Sequence, residues 1–291
     1  MTGQPQRRLA VLGSPIAHSL SPVLHRAAEQ QLGLLWHYDR AEVGSGELAA
    51  FLAGLDEQWL GLSLTMPLKR EVLPLLDTAT PLVTELGVAN TVRFDAVEGT
   101  RRLSGANTDV WGIVQALREA AVHHADQAVV LGAGATALSA VRALAELGVQ
   151  RVHVLARHPE RASQLIDQAA GFAVEVSAHP LADEVRIDAP VLVSTLPPRA
   201  ADHLTVTADA PVATLLDVAY DPWPSRLART WAAQGHVVVS GLEMLLWQAV
   251  AQNRFWLNDD ETEPLPDEAQ VVAAMRQALA EAGHVSGGVG R

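Results

Sequence analysis

The sequence predicts an α/β fold in two domains, and three observations carry that prediction. At 291 residues the chain is long for one core and comfortable for two. Short apolar runs alternate with helix-like segments from the N-terminus to about Thr108, and the alternation restarts near Asp109. In the second half an apolar strand runs straight into Gly132-Ala133-Gly134-Ala135-Thr136-Ala137 and then into another helical segment.

The elements follow in chain order. Residues 7–14, RRLAVLGS, make a short apolar strand ending in Gly-Ser. A helix from Pro22 to Leu32 leads to a strand at Leu35–Ala41, a helix at Gly46–Leu55 and a strand at Gly61–Thr65, which Met66-Pro67 breaks. A helix over Lys69–Leu76 precedes strands at Ala89–Phe94 and Leu103–Thr108, with a turn at Glu98-Gly99 between them. Helix Val110–Ala121 carries apolar residues at helical spacing. Strand Ala128–Leu131, helix Ala137–Leu147, strand Arg151–Leu155 and helix Glu160–Ala170 follow. Strands near Val174 and at Val191–Ser194, Thr214–Val218 and His236–Val239 complete a mostly parallel sheet. Gly241–Trp256 reads as a long apolar helix, Asp267–Ala282 as the last helix, and His284–Arg291 as a disordered tail. The expected division is residues 1–107, completed by C-terminal helices at about 242–283, against residues 108–241. The hinges should lie near Asn107–Asp109 and Ser240–Gly241.

Composition narrows the function classes. The net charge of -12 repels phosphate backbones, which argues against a nucleic-acid partner and requires a local basic site for any bound polyphosphate. With no cysteine, disulfides, thiol catalysis and cysteine-based metal sites are excluded. His123-His124 reads as a solvated loop, and no metal is expected. Apolar runs fall short of a membrane span, and the first run is too short for a secretory leader. These features read as a cytoplasmic protein acting on small molecules, as a monomer or a homodimer.

The glycine-rich turn gains meaning from its strand–turn–helix setting. Gly132 allows the tight turn, Gly134 lets backbone amides approach a pyrophosphate, and Ala137 permits close packing of helix on strand. The helix N-terminus offers unpaired N–H groups and a partial positive charge. A Rossmann-like dinucleotide-binding domain is the expectation. At the tip of the next strand, Ala156-Arg157-His158 leaves no acid to hold the 2′-hydroxyl of NAD, while Arg157 and Arg161 suit the 2′-phosphate of NADP. Solvated surface arginines are the alternative.

Four stretches of the first half set small polar groups just after strands, where open α/β sheets bind ligands. They are Ser14-Pro-Ile-Ala-His-Ser19-Leu-Ser21-Pro22, Ser63-Leu-Thr65-Met-Pro67-Leu-Lys69, Gly87-Val-Ala-Asn90-Thr91 and Gly105-Ala-Asn107-Thr108-Asp109. Each alone has a plainer reading: Ser19 and Ser21 as helix caps, the Asn-Thr pairs as turn formers, Lys69 as a helix-surface lysine. His18 and His25 read as structural, packed around the serine loop. Two further motifs come late, Asp217-Val-Ala-Tyr220-Asp-Pro222 and Gly241-Leu-Glu-Met244-Leu-Leu-Trp-Gln248.

Together and in this order, these motifs resemble the shikimate dehydrogenase family from Gly13 to about Trp256. The resemblance implies an N-terminal substrate domain of α/β/α type beside the NADP-binding domain. The implied activity is reversible reduction of 3-dehydroshikimate to shikimate in aromatic amino-acid biosynthesis. It also implies roles. Ser19 and Ser21 would bind the substrate carboxylate with help from Tyr220. Thr65, Asn90, Asp109 and Gln248 would hold the ring hydroxyls, with Ser63 in the same group. Lys69 and Asp109 would be the catalytic pair. Gly132 to Ala137, Arg157, Arg161, Gly241 and Met244 would hold the cofactor, Met244 against the nicotinamide. A lysine suits proton donation because it can place a transferable proton within hydrogen-bond reach of the carbonyl oxygen. The chain departs from the family pattern where Ser63 and Ala156 replace asparagines and Ala135 replaces a glycine. An NAD-dependent quinate/shikimate dehydrogenase, an aminoshikimate enzyme and a non-catalytic module binding NADP or shikimate are the competing readings.

Overall fold

The computed structural model describes residues 6–97 and 99–283; Glu98 and the expected tail lie outside them. The chain divides into two units. One runs to Thr108 and resumes at Gln248; the other runs from Asp109 to Trp247. The second break falls inside the helix Gly241–Asn258, not at its start. The reason is packing, because Phe255 and Trp256 of that helix belong to the core of the first unit.

The first unit contains β1 (Arg7–Gly13), β2 (Trp36–Glu42), β3 (Trp59–Leu64), β4 (Thr78–Ala79), β5 (Thr91–Val97) and β6 (Thr100–Ala106) in the order β2-β1-β3-β5-β6-β4. β1 runs parallel to β2 and β3, whereas β5 is antiparallel to β3 and β6. Helices α1 (Ser21–Leu32), α2 (Leu48–Ala53), α3 (Leu68–Glu71) and α4 (Pro81–Leu86) connect the strands. Side chains along a strand alternate between faces. In β1, Leu9 and Val11 therefore enter one core with Phe255 and Trp256, while Ala10 and Leu12 enter another with Leu48, Leu68 and Val83. Burial on both faces produces the α/β/α layering. At Gly61 the packing leaves no room for a side chain: a Cβ would lie 2.4 Å from Trp256 Nε1, whose N–H donates to Val92 O at 3.0 Å.

Three first-unit expectations need correction. The helix expected over Lys69–Leu76 is only α3 followed by a 3-10 turn at Leu73–Leu75. Pro74 has no N–H to continue the ladder, and its ring crowds the preceding turn. The strand expected at Leu103–Thr108 is the longer β6, which pairs with β5 across the turn. α4 went unpredicted despite Pro81 in its first turn and a left-handed Gly87 at its end, both helix-boundary signals.

In the second unit, β7 (Gln127–Leu131), β8 (Arg151–Ala156), β9 (Glu175–Pro180), β11 (Val191–Ser194), β13 (Thr214–Asp217) and β14 (Val237–Ser240) form one parallel sheet, ordered β14-β13-β11-β7-β8-β9. Strands β11 and β13 are buried throughout, as central parallel strands require. Chain order reverses at β7, and such a reversal is where open sheets bind ligands beyond their carboxyl ends. Helices α5 (Asp109–Glu119), α6 (Ala135–Glu146), α7 (Pro159–Ala169) and α8 (Arg226–Ala233) complete this unit. β10 (Glu184–Ile187) and β12 (Thr205–Ala208) pair separately and were not predicted, being too short for a clear period.

The helix α9 (Gly241–Asn258) leads to α10 (Glu268–Glu281), which packs along α1. Arg254 of α9 clasps Glu268 with two hydrogen bonds of 2.7 and 2.6 Å. Within α1, Glu29 is buried, its Oε1 has no hydrogen-bond partner among the described residues, and burial pushes its pKa up to about 7 against a weaker opposing pull from Arg26. An acid with a raised folded pKa stabilises the fold while protonated. That contribution is complete below pH 4.5 and is lost as pH rises through about 7. Glu29→Gln keeps the neutral shape at every pH. Its gain over the parent in urea unfolding should be near zero at low pH and about 1–2 kcal/mol at alkaline pH, allowing for solvent screening. A gain independent of pH would contradict this account of Glu29.

Candidate active site and dinucleotide site

In the first unit, β3 and β5 bring Ser63 and Thr91 into register, and α9 contributes Gln248 and Gln252 one helical turn apart. A connected polar cluster results. Tyr38 Oη donates to Ser63 Oγ at 2.7 Å, and Ser63 Oγ donates to Gln252 Oε1 at 3.0 Å. Gln252 Nε2 donates to Thr91 Oγ1 at 3.2 Å and to Asn90 O at 3.4 Å. Asn90 Nδ2 donates to Thr108 Oγ1 at 2.9 Å and to Gln248 Oε1 at 3.4 Å, while Asn90 Oδ1 accepts the Thr108 N–H at 2.8 Å. Ser63, Asn90 and Gln248, grouped by the sequence, are thus brought together, and all are buried. Ser63 has committed its proton to Gln252, so towards any ligand it can only accept.

His25 lies behind this cluster. Its Nε2 is 3.2 Å from Gln252 Oε1 and its Nδ1 is 3.3 Å from Asn253 Oδ1, with the ring stacked on Tyr38 at 4.1 Å. Burial lowers its pKa to about 4, so the imidazole is neutral at neutral pH. The structural reading of His25 fits, but its bonding partners come from α9, not from the serine loop. His123 and His124 are exposed, and His124 Nε2 lies 3.6 Å from Asp126.

The serine loop does not cap α1. The N-cap is Leu20, with no side-chain cap bond; Ser19 Oγ instead accepts the Ser21 N–H at 3.3 Å. Arg40 of β2 donates to the carbonyls of Ala17 and Ser19, which brings a guanidinium charge to the loop. Thr65 follows β3 and accepts the Leu68 N–H on its carbonyl at 2.8 Å. The missing Cβ of Gly13 leaves room for the Thr65 methyl, from which it would lie 2.3 Å. Half-buried Lys69 sits on α3, its carbonyl accepting the Ala89 N–H at 2.9 Å next to Asn90. Asp109 opens α5, where the helix dipole favours an acid, and is buried.

In the second unit, Gly132 has φ 107, and a Cβ there would lie 2.5 Å from Thr195 Oγ1, so the turn demands glycine. Gly134, the N-cap of α6, has ordinary extended backbone, and a Cβ on it would meet nothing within 4 Å. Open space therefore lies before the first turn of a 12-residue helix that no side chain caps. That combination fits a pyrophosphate. The helix starts at Ala135, not at Ala137 as expected, so Ala135 and Thr136 belong to its first turn, Ala133 precedes it, and Ala137 is buried packing.

Arg157 and Arg161 are exposed just past β8. The helix α7 begins at Pro159 with His158 as N-cap, so Arg157 stands before it and a helical spacing of four does not place the two arginines on one face. Glu160 lies 3.5 Å from His158 Nδ1, and Ala156 ends the strand without an acid at its tip. Tyr220 is half-buried in the loop after β13, and Met244 is buried in α9. Gly241 has a packing reason of its own: a Cβ would lie 2.2 Å from Val218 O. The sequence reading missed Tyr38, Arg40 and Gln252; only Gln252 left a signal, four residues after Gln248 on one helix.

Two family models match the chain. One, described as the shikimate dehydrogenase substrate binding domain, covers residues 11–92, and the other, described as shikimate / quinate 5-dehydrogenase, covers residues 115–195. The NADP(+) shikimate dehydrogenase of Thermus thermophilus is 35% identical over 272 residues, spanning 94% of this chain and 98% of that protein. The crystal structure of Mycobacterium tuberculosis shikimate dehydrogenase is 38% identical with a TM-score of 0.76, covering 94% and 99% of the two chains. A Thermus thermophilus shikimate 5-dehydrogenase solved with NADP(H) and shikimate is 32% identical with a TM-score of 0.73, covering 94% and 100%. A 5-ketofructose reductase from Gluconobacter superposes with a TM-score of 0.80 at 22% identity, covering 96% and 100%, a likeness of fold alone.

The buried cluster generates a prediction. Gln252→Ala would strip partners from Ser63, Thr91 and His25 together. It should cost about 2–4 kcal/mol in urea unfolding, since each unmet buried polar group costs about 1–3 kcal/mol. A cost below about 0.5 kcal/mol would mean that these groups find other partners.

Proposed function

This chain belongs to the shikimate dehydrogenase family, and we propose that it reversibly reduces 3-dehydroshikimate to shikimate with NADPH, the first unit holding the substrate and the second the cofactor. The observation that carries the reading is the buried set of Ser63, Asn90 and Gln248, linked by hydrogen bonds through Gln252, in the unit that also carries Thr65 and Lys69. Asn90, Gln248 and Thr65 orient the ring hydroxyls, and Ser63 accepts from one of them. Ser19 and Ser21 bind the carboxylate, with Tyr220 assisting and the charge of Arg40 behind the loop. When bound, the nicotinamide supplies the hydride. Lys69 Nζ gives a proton to the carbonyl oxygen on reduction and removes it on oxidation. Asp109 is the second member of the acid–base pair.

Ala133, Gly134, Ala135 and Thr136 fit the pyrophosphate through the uncapped turn, and Gly241 and Met244 are assigned to the nicotinamide end. Arg157 and Arg161 meet the 2′-phosphate, which favours NADP over NAD and disfavours the quinate-type reading. The net charge of -12 supports small-molecule ligands without a nucleic-acid partner. Among the described residues no helix is long and apolar enough to cross a membrane. A cytoplasmic monomer or homodimer completes the proposal.

Purified protein should reduce NADP with shikimate, followed at 340 nm, and should use quinate with NAD far less well. Lys69→Ala should lower kcat about 10²–10⁴-fold with a much smaller change in KM. Near-parent kcat in that variant would leave Lys69 no catalytic role. Arg157→Ala should lower kcat/KM for NADP about 10–100-fold and leave NAD nearly unchanged. Equal losses with both cofactors would place Arg157 outside the 2′-phosphate site.

A further inference from the structure

The segment from Val218 to Ser225 joins β13 to α8 and carries Tyr220, and one carboxylate ties both of its ends. Asp217, the last residue of β13, accepts the Ala219 N–H on Oδ1 at 3.3 Å and the Ser225 hydroxyl on Oδ2 at 2.6 Å. Ser225 Oγ in turn accepts the Ala228 N–H at 2.9 Å as the N-cap of α8. Ser194, in register with Asp217 on β11, adds a further hydrogen bond to the carboxylate. Near the far end, Arg229 donates to Pro224 O at 2.7 Å, and Pro222 and Pro224 restrict the backbone between. At the near end, Val218 lies against Gly241 with no space for a side chain.

Asp217 is buried, so it does not meet a ligand itself. A carboxylate in that position is unfavourable unless its bonds do something a smaller or apolar side chain cannot, and burial accordingly pushes its pKa up. What distinguishes a carboxylate here is a pair of acceptor oxygens that serve both ends of the segment at once. An asparagine has one such oxygen; its amide can still donate to Ser225 Oγ, but the Ser225 hydroxyl loses the acceptor for its own proton.

We propose that Asp217, acting through Ala219 and Ser225, is a positioning residue that fixes the place of Tyr220 within the second unit for its part in substrate binding. The inference rests on the assignment of Tyr220 to substrate binding given above. It explains a buried acid that the reaction itself does not use, and it makes Ser225 both a helix cap and part of the binding apparatus.

The test is steady-state kinetics on Asp217→Asn, Ser225→Ala, Ser225→Thr, Tyr220→Phe and the double variant Asp217→Asn/Tyr220→Phe. Asp217→Asn and Ser225→Ala should each raise KM for shikimate about 5–30-fold, with kcat and KM for NADP within about twofold of the parent. Ser225→Thr keeps the hydroxyl and should restore the parent KM. The double variant should be no worse than Tyr220→Phe alone, because the losses act through one side chain. Additive losses, or equal rises in KM for both ligands, would make Asp217 a general structural residue and overturn the inference. If Asp217→Asn does not fold, the Ser225 pair still decides: parent-like KM in Ser225→Ala beside a raised KM in Tyr220→Phe overturns the inference alone. An unchanged KM in Tyr220→Phe would remove the assignment of Tyr220 and the inference with it.

Discussion

The side chain of Asn90 is the point on which the first unit turns. Its carbonyl oxygen accepts the amide of Thr108, and its amide group donates to the Thr108 hydroxyl and to Gln248. One carboxamide therefore ties the start of β5, the last residue of the first unit's N-terminal segment and α9. A buried amide of this kind is tolerated only when its donors and acceptor are met. Most of the neighbouring polar groups exist to meet it or to meet each other: Thr91, Thr108, Gln252 and Ser63 bond in sequence from its edges. Asn107 extends the same logic, donating to Val88 O at 3.0 Å, so the residues leading to Asp109 are pinned side chain by side chain. Precision in the candidate site comes from this enforced satisfaction, on strands and a helix whose apolar faces are buried separately.

The second unit solves a different problem with backbone. Its sheet is parallel throughout, its order reverses at β7, and at that reversal Gly132 turns the chain into α6. No side chain needs to be aimed, because the helix amides already are. Arg157 and Arg161, proposed to meet the 2′-phosphate, are exposed just past β8 in a chain of net charge -12. In the proposed reading the two units divide recognition by chemistry, hydroxyls and amides in one and peptide N–H groups with guanidiniums in the other.

The parts legible in the sequence are those with local causes. The apolar strands β1, β3, β7 and β11 announce themselves by composition, and Gly132 by a turn that only glycine makes. Ser63, Asn90 and Gln248 are grouped by what the family resemblance of their motifs implies. Of their partners, Gln252 left only its spacing of four from Gln248, whereas Tyr38 and His25 join the cluster across long stretches of chain, and nothing local marks such a meeting. The failures near the surface have other causes. Pro74 shortened a helix whose apolar pattern continued past it. β10 and β12 are too short to show a period. For Gly241 the sequence suggested a ligand, whereas close backbone packing on Val218 already requires a glycine.

His25 and Glu29 stand one turn apart on α1, and burial moves their proton affinities in opposite directions, to about 4 and about 7. In the unfolded chain between pH 4.5 and 6.5 the imidazole carries the proton and the carboxylate does not. In the folded chain the occupancy is exchanged. Folding this helix into place therefore shifts proton affinity from the imidazole to the carboxylate. The two pH slopes oppose each other over that interval. A substitution at either residue alone would expose the titration that its neighbour now offsets.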